Sequence, residues 1–212
     1  MKTILRGTIL GALAAGLSLT LIAQDAGMSA KPAAKTAQPM AMPVPQPAPE
    51  MIKLIKMMGG NWTVTEKENP GPMFPNGGTG KGTATLTPGP GGLSLMEKYH
   101  SSGAMGPSFN GVGTFWWDPK AQVFRGLWCD NLTPNGCDAS GTTKWDGDKL
   151  VGTMTSDMNG QKMVTQFVYS DWKPTSFVMT MSTGADAKSL KPAVIITYSK
   201  APMAKVVEKM PQ

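Results

Sequence analysis

The stretch "MMGGNWTVTE", residues 57–66, marks a change of pattern in the chain. Before it, Met51, Leu54, Ile55 and Met58 recur at helical spacing, which predicts a short amphipathic helix that ends at the glycines. After it, "WTVTEKE" has the two-residue period of a strand with one buried face. Glycine lacks a Cβ and therefore tolerates the sharp reversal from helix to strand. The stretch predicts a helix followed directly by the first strand of a β domain.

The two-residue period continues through most of the remaining chain. Nine further segments show it: "GTATLT", "LSLMEKYH", "FNGVGTFWW", "VFRGLWC", "GTTKW", "KLVGTMTS", "QKMVTQFVYS", "SFVMTMS" and "AVIITYS". Asp146-Gly147 and Asn159-Gly160 are hairpin signals, because tight turns between antiparallel strands need residues that tolerate positive φ. About ten short strands without a helix-length run between them predict an all-β fold, a closed antiparallel meander barrel. A β-sandwich is the alternative.

The first residues have the pattern of an export signal. Lys2 and Arg6 precede an apolar run over residues 8–23, so residues 1–23 are expected to be a signal peptide and the mature chain to begin near Gln24. An uncleaved anchor is the alternative, but this run is short for a spanning helix and contains Gly, Ser and Thr. The expected location is periplasmic or extracellular, with no membrane span after cleavage.

Three further regions follow from composition. Residues 24–49 are rich in proline and alanine, which predicts a flexible tether. Residues 50–200 are the expected barrel domain, and residues 201–212 a C-terminal tail. The net charge of +6 is spread over scattered lysines that alternate with acidic residues. No basic stripe is present, so nucleic-acid binding is not predicted.

The chain has two cysteines, Cys129 and Cys137, in "CDNLTPNGC". In an exported chain such a close pair predicts a disulfide, because oxidising compartments preserve the bond and no second pair exists to complete a zinc site. The bond is expected to hold a loop in place. A redox role would favour the closer C-x-x-C spacing.

The helix, Gly60 and Trp62 at the first strand resemble the start of the calycin barrels, the lipocalins and their relatives. This resemblance implies that the Trp62 indole plugs the closed end of the barrel. It also implies a cation packed on the ring, and Lys200, after "ITYS", is the candidate for a cation–π contact.

A second resemblance rests on the block "FNGVGTFWWDPKAQVFRGLWCDN", residues 109–131. It is similar to the DUF1579 family, in which a glycine-containing strand leads to an aromatic-Asp turn and then to a strand that ends in Trp-x-Asp. The matching positions are Gly111, Gly113, Trp117, Asp118, Trp128 and Asp130. The family usually has Tyr where this chain has Trp117. The resemblance implies a lipocalin-like barrel of unassigned function and supplies no catalytic residues.

Aromatic residues are concentrated around one predicted hairpin. Phe115 and Trp117 share one side of their strand, and Trp116 takes the other. Aromatic rings are typical of ligand pockets, but they also fill the cores of small barrels. The candidate ligand-binding wall comprises Phe115, Trp117, Trp128, Phe167 and Met179.

The remaining polar residues do not form a recognisable catalytic set. Asp118 and Asp130 stand where short acidic side chains cap turns, and we assign them structural roles. His100 is the only histidine in the chain, and we expect it to be exposed. Glu97 lies three residues before it, so the two side chains point to opposite sides of a strand. No G-x-S-x-G motif is present, and enzymatic activity is not predicted.

Soft metal ions and haem are minor alternatives. Thioethers favour Cu(I), but methionine is also a shape-tolerant core residue. The methionines that could form a cluster are Met28, Met40, Met42, Met51, Met57 and Met58. Haem ligation through His100 is the second possibility. We expect no cofactor.

The sequence thus predicts an exported barrel that binds a small apolar or amphipathic ligand. The alternatives are an envelope scaffold with a filled barrel and an enzyme that uses His100 with Glu97. The sequence does not specify the oligomeric state.

Overall fold

The computed structural model describes residues 43–200, apart from 104–105, 134–135 and 159–160. The expected signal peptide, most of the tether, the tail 201–212 and the Asn159-Gly160 turn lie outside the described residues. No helix within the described ranges is both long and apolar enough to cross a membrane.

The described chain forms one helix and ten strands, with a short 3-10 turn at Pro90–Gly92 between the second and third strands. The elements are α1 Pro49–Met58, β1 Gly60–Glu68, β2 Gly78–Pro88, β3 Ser94–Gly103, β4 Gly106–Asp118, β5 Val123–Asp130, β6 Cys137–Asp146, β7 Lys149–Met158, β8 Gln161–Lys173, β9 Ser176–Gly184 and β10 Lys191–Lys200. Each strand pairs antiparallel with the next along the chain, and β1 pairs with β10. The fold is therefore the predicted closed meander barrel, and the β-sandwich alternative is wrong.

Helix α1 forms as its apolar spacing predicts. Pro49 occupies the first turn, where its missing N–H costs nothing, and Glu50 adds a favourable negative charge there. Met51, Leu54 and Met58 are buried, and the helix contacts β2, β3 and β4. The buried face of α1 therefore covers one end of the barrel, which we call the floor.

The β6–β7 hairpin is present at the position predicted from Asp146-Gly147. Asp146 pairs with Lys149 in the ladder, so the two turn residues are Gly147 and Asp148. Only Gly147 of this pair has a positive φ, at 60°. Glycine in the first central position is the requirement of a type II′ turn, and the turn therefore lies one residue later than predicted.

The floor is filled by large apolar side chains. Trp62 Nε1 donates a hydrogen bond to the Met58 carbonyl oxygen at 2.8 Å, which ties β1 to the end of α1. The Phe177 ring packs edge-on against Trp62 with centroids 4.9 Å apart. Lys200 lies on the outer side of this floor, with Nζ 3.8 Å from the Trp62 ring centroid and 2.9 Å from the Gly59 carbonyl oxygen.

Candidate functional site

Buried carboxyl groups lie in the middle of the barrel. Glu66 on β1 and Glu97 on β3 are only 3% and 4% exposed. They share the interior with three buried tyrosines, Tyr99, Tyr169 and Tyr198. We call these five residues the carboxyl–tyrosine cluster. Carboxyl groups are almost never fully buried unless they are paired, so this cluster is the most unusual chemical feature of the interior.

Two tyrosines donate hydrogen bonds to the two carboxyl groups. Tyr99 Oη donates to Glu66 Oε1, and Tyr198 Oη donates to Glu97 Oε1 at 3.2 Å. The rings of Tyr99 and Tyr198 lie side by side with centroids 6.4 Å apart. The two carboxyl–tyrosine pairs are therefore neighbours within one network.

Burial raises the pKa of Glu97 and of the three tyrosines. Loss of solvent raises the pKa of Glu97 to about 7, although the Tyr198 hydrogen bond opposes the shift. Burial also raises the pKa of Tyr169 and of Tyr198, and the negative charge of Glu97 adds to both effects. The pKa of Tyr99 rises through burial and then through its contact with Glu66. The tyrosines thus remain hydrogen-bond donors, while Glu97 can change charge near neutral pH.

Glu66 keeps one oxygen available. Its Oε2 atom is buried and has no hydrogen-bond partner among the described residues. A Cβ on Gly80, the residue opposite in β2, would lie only 2.0 Å from this oxygen. Glycine at position 80 therefore leaves the space into which the carboxylate points. An unsatisfied buried polar atom costs free energy, so a donor from outside the described protein atoms would be favoured here.

An aromatic wall adjoins the cluster. The Trp128 indole on β5 lies against Gly111 and Gly113 of β4, where added Cβ atoms would approach ring carbons to 2.2 and 3.0 Å. Phe109 stacks on Trp128 with centroids 6.4 Å apart, and Tyr99 meets Trp128 edge-on at 6.3 Å. The two glycines of the "FNGVG" segment thus provide a flat surface for one indole.

The turn residue Asp130 holds the Trp128 indole in place through its N–H group. Trp128 Nε1 donates to Asp130 Oδ2 at 2.8 Å. Asp130 also accepts hydrogen bonds from the Leu132 and Thr133 N–H groups and from the Thr133 hydroxyl. Partial burial disfavours its ionisation, but these hydrogen bonds outweigh burial and lower its pKa. Asp130 therefore couples the β5–β6 turn to the position of the indole.

Asp118 caps the β4–β5 turn. It accepts hydrogen bonds from the Lys120 and Ala121 N–H groups and pairs with Arg125 at 3.2 Å. The Ala121 hydrogen bond contributes most to the lowered pKa of Asp118. This geometry matches a turn cap rather than an acid–base group.

The predicted disulfide is present. Cys129 and Cys137 are directly paired between β5 and β6, with an S–S distance of 2.08 Å. The bond follows immediately after Trp128 and closes the segment that contains Asp130. It therefore restrains the turn that positions the indole.

The five predicted wall residues lie on inward-facing positions but at different heights. Phe115 pairs with the buried Leu95, and Trp117 packs on Phe124 at 5.0 Å. These two aromatics belong to the part of the barrel next to α1. Trp128, by contrast, contacts the carboxyl–tyrosine cluster through Tyr99.

Phe167 and Met179 line the strands on the other side of the barrel. Phe167 pairs with Met181, and Met179 pairs with both Tyr169 and Ile196. Met179 is buried, whereas Phe167 is half-buried. The structure thus brings Met179 next to the cluster through Tyr169, and leaves Phe115 and Trp117 below it.

Solvent reaches the interior at the end opposite α1. Several side chains there are on inward-facing positions yet remain half-buried: Trp128, Met154, Ser156, Met163, Phe167 and Met181. Phe74, from the β1–β2 loop, is buried in the core and covers part of this end. We call the half-buried group the mouth. Its exposure contrasts with the fully buried residues at the floor.

The role of Glu66 was not predicted from the sequence, and Glu97 was predicted only as a partner for His100. The signal was present in the alternation, because Trp62, Val64, Glu66 and Glu68 occupy every second position of β1 and all are buried. Once Trp62 is assigned to the interior, the alternation assigns Glu66 and Glu68 to the interior as well. Carboxyl groups are rarely buried, so their charge is a signal that opposes this placement.

His100 faces outward from β3, away from Glu97. Its Nδ1 atom lies 3.0 Å from Asn110 Oδ1, beside an open outer cleft of about 590 Å³ that Lys98, Asn110 and Asn131 also line. It lies within β3 and is exposed. His100 therefore has no access to the lumen, as a haem ligand or as a partner of Glu97.

Three methionines of the proposed copper cluster, Met28, Met40 and Met42, lie outside the described residues. Met51 and Met58 are buried in the core, which matches packing. Within the described ranges, no group of three or more His, Cys, Asp or Glu side chains is arranged to hold a metal ion.

Comparisons with known proteins identify the fold but not a family. No family model and no curated protein matches the chain. Among solved structures, the S-type phycobiliprotein lyase CPES from Guillardia theta is 10% identical, covers 71% of this chain and 92% of its own, and gives a TM-score of 0.51. At this identity the match shows the fold alone.

Two further structures have lower scores. Rv2717c from M. tuberculosis is 10% identical and covers 74% of this chain and 100% of its own, with a TM-score of 0.48. A de novo designed fluorescence-activating β-barrel is 10% identical and covers 68% of this chain and 94% of its own, with a TM-score of 0.37. The chain adopts a calycin-like β-barrel fold, closed by ten strands and preceded by one short helix.

Proposed function

We propose that this protein binds a small amphipathic molecule in the upper half of its barrel, between the mouth and the carboxyl–tyrosine cluster. The observation that carries the proposal is the contrast along the barrel axis. The floor is filled by fully buried apolar side chains, whereas inward-facing Trp128, Phe167 and Met181 at the mouth remain half-buried. Ligand pockets combine apolar and aromatic walls with a few polar groups in this manner.

The wall and the polar groups suit an amphipathic molecule. Trp128 and Phe109 offer stacked aromatic surface, while Glu66 and Glu97 offer hydrogen-bond acceptors deeper inside. The apolar part of the ligand would displace water from the aromatic rings, and its polar group would contact the carboxyl groups. Burial of apolar surface would supply most of the binding free energy, and the polar contacts would supply orientation.

Two expectations from the sequence belong to the same proposal. The leader at residues 1–23 supports export to the periplasm or the medium. The glycine, tryptophan and aspartate positions that resemble DUF1579 support membership of that family. In this proposal, the family motif serves to place Trp128 at the ligand wall.

A neutral fluorescent dye tests the binding proposal. N-phenyl-1-naphthylamine emits strongly only in apolar surroundings, so its emission should rise and saturate when the mature protein is added. Ser156, on an inward position at the mouth, and Thr155, exposed on the outer face, allow a matched comparison. Ser156→Trp should weaken dye binding by about tenfold, a loss of about 1.4 kcal/mol, whereas Thr155→Trp should leave it unchanged.

Circular dichroism of both variants controls for folding. A wild-type protein that gives no saturable emission contradicts the proposal and favours the alternative of a filled scaffold barrel. Equal effects of the two tryptophans would mean that the dye binds outside the lumen, which also contradicts it. Native mass spectrometry of protein from its own host would detect a co-purifying molecule directly.

A further inference from the structure

We propose that the ligand of this barrel is an organic cation, a protonated amine on an aromatic or apolar body, with its ammonium group held by Glu66 and the cluster around it. This inference rests on the proposed function and names the chemical class of the molecule. The ammonium would donate to Glu66 Oε2, and the body would lie against Trp128 and Phe109.

Charge balance is the first argument. The cluster holds two carboxyl groups, both almost completely buried. Arg125 and Asp118 form an ion pair on the outside of the barrel, but no lysine or arginine of the described chain pairs with Glu66 or Glu97. Buried carboxylates without a positive partner are costly, and a cationic ligand would supply one.

Hydrogen-bond geometry is the second argument. Glu66 Oε1 accepts a hydrogen bond from the Tyr99 hydroxyl, but Oε2 has no partner in the described protein and lies against Gly80, where a Cβ would otherwise be. All three tyrosines of the cluster have raised pKa values and remain protonated. A neutral acceptor ligand would therefore leave Oε2 unsatisfied, whereas an ammonium N–H group satisfies it.

The aromatic surroundings are the third argument. Tyr99, Phe109 and Trp128 pack together with centroids 5.9 to 6.4 Å apart, next to the carboxyl groups. Aromatic faces attract cations, and the attraction is greatest where water is excluded. An anionic ligand would meet the glutamates and the negative faces of these rings. The electrostatics of the interior thus select against anions and for cations.

Selectivity between matched probes tests the inference. 2-Phenylethylamine and 2-phenylethanol have the same aromatic body and differ in the terminal group, an ammonium or a hydroxyl. Both would compete with the dye at pH 8 on the full mature chain. A hydrogen bond to a charged group contributes about 1.5–3 kcal/mol, so the amine should bind about ten- to hundredfold more tightly than the alcohol.

Substitutions test which residues cause the preference for the amine over the alcohol. Glu66→Gln keeps an acceptor for Tyr99 but removes the charge, and it should reduce the preference for the amine to about twofold or less while dye binding persists. Glu97→Gln provides a second variant in the same cluster and should reduce the preference in part. Asp148→Asn removes one carboxylate from the exposed β6–β7 turn and should preserve the wild-type preference.

The outcomes separate this inference from the proposed function. Saturable dye binding with equal affinities for the two probes overturns the cation inference and leaves lumen binding intact. An amine preference that survives in both glutamate variants also overturns it. Failure of the dye and both probes to bind overturns the cation inference and the proposed function together.

Discussion

The Trp128 indole lies flat against Gly111, so close that a Cβ on this glycine would be 2.2 Å from the ring. This contact joins β4 to β5 and sets the position of the aromatic wall. It also gives a physical reason for glycine inside a strand, where glycine otherwise weakens the structure. The aromatic wall therefore depends on the absence of a side chain at position 111.

Gly111→Ala should destabilise the fold and displace the indole. Adding a methyl group to a filled interior costs about 1–3 kcal/mol, and here the ring must move because the strand is held by its neighbours. Urea unfolding would measure the loss, and the tryptophan emission maximum would report the displaced ring. Gly71→Ala is the matched control, since beyond its chain neighbours only the Asn69 oxygen, at 4.0 Å, lies near its Cβ position. Equal stability of both variants would contradict the packing argument.

Asp130→Ala should loosen the turn and the indole together. The substitution removes the acceptor for Trp128 Nε1 and for three donors of the following turn. Leaving such donors unsatisfied costs about 1–3 kcal/mol, and we expect weaker dye binding as well. Asp148→Ala removes an exposed aspartate from another turn and should change the free energy of unfolding by less than about 0.5 kcal/mol. An Asp130→Ala protein with unchanged dye affinity would separate the turn from the ligand wall.

The sequence predicted the closed meander barrel because alternation and turn residues are local signals. It also predicted which side of β4 carries Phe115 and Trp117, opposite Trp116. It did not predict their height in the barrel, because alternation assigns a side chain to a face and says nothing of its position along the barrel axis. Height depends on the stagger between strands, which brings Trp128 to the cluster and leaves Trp117 beside α1.

The carboxyl–tyrosine cluster escaped prediction for a related reason. Glu97 and Tyr198 belong to β3 and β10, and only closure of the barrel through the β1–β10 pairing brings their side chains together. Charge favoured placing Glu66 in solvent, but the alternation shared with Trp62 placed it inside. The pattern was the more informative signal in this strand.

Lys200→Ala should destabilise the floor by about 1 kcal/mol, because it removes a cation–π contact and a hydrogen bond at a solvent-exposed site. The Nζ atom lies 3.8 Å from the Trp62 centroid and 2.9 Å from the Gly59 oxygen. Lys191→Ala, at the other end of β10, is the matched control and should have little effect. Thermal unfolding followed by circular dichroism measures both. Wild-type stability in Lys200→Ala would show that the contact contributes nothing to the floor.

Glu97 should make the stability of the protein fall as the pH rises through neutrality. Burial raises its pKa from an ordinary 4.5 to about 7 in the folded state. Folding therefore favours the protonated form, and the resulting stability is fully present below pH 4.5 and is lost as the pH passes 7. The shift corresponds to a loss of about 3 kcal/mol between those limits. Urea unfolding at intervals between about pH 5 and pH 8 would measure it.

Variants assign this pH dependence to one group. Glu97→Gln keeps an acceptor for Tyr198 and cannot ionise, so its free energy of unfolding should lack this fall. The tyrosines that face Glu97, namely Tyr99, Tyr169 and Tyr198, have raised pKa values and do not titrate in this window. Glu66→Gln measured alongside separates the contribution of the second carboxyl group, and Asp148→Asn should retain the wild-type slope. A slope that persists unchanged in Glu97→Gln would mean that another group controls it, because glutamine has no proton to lose between these pH values.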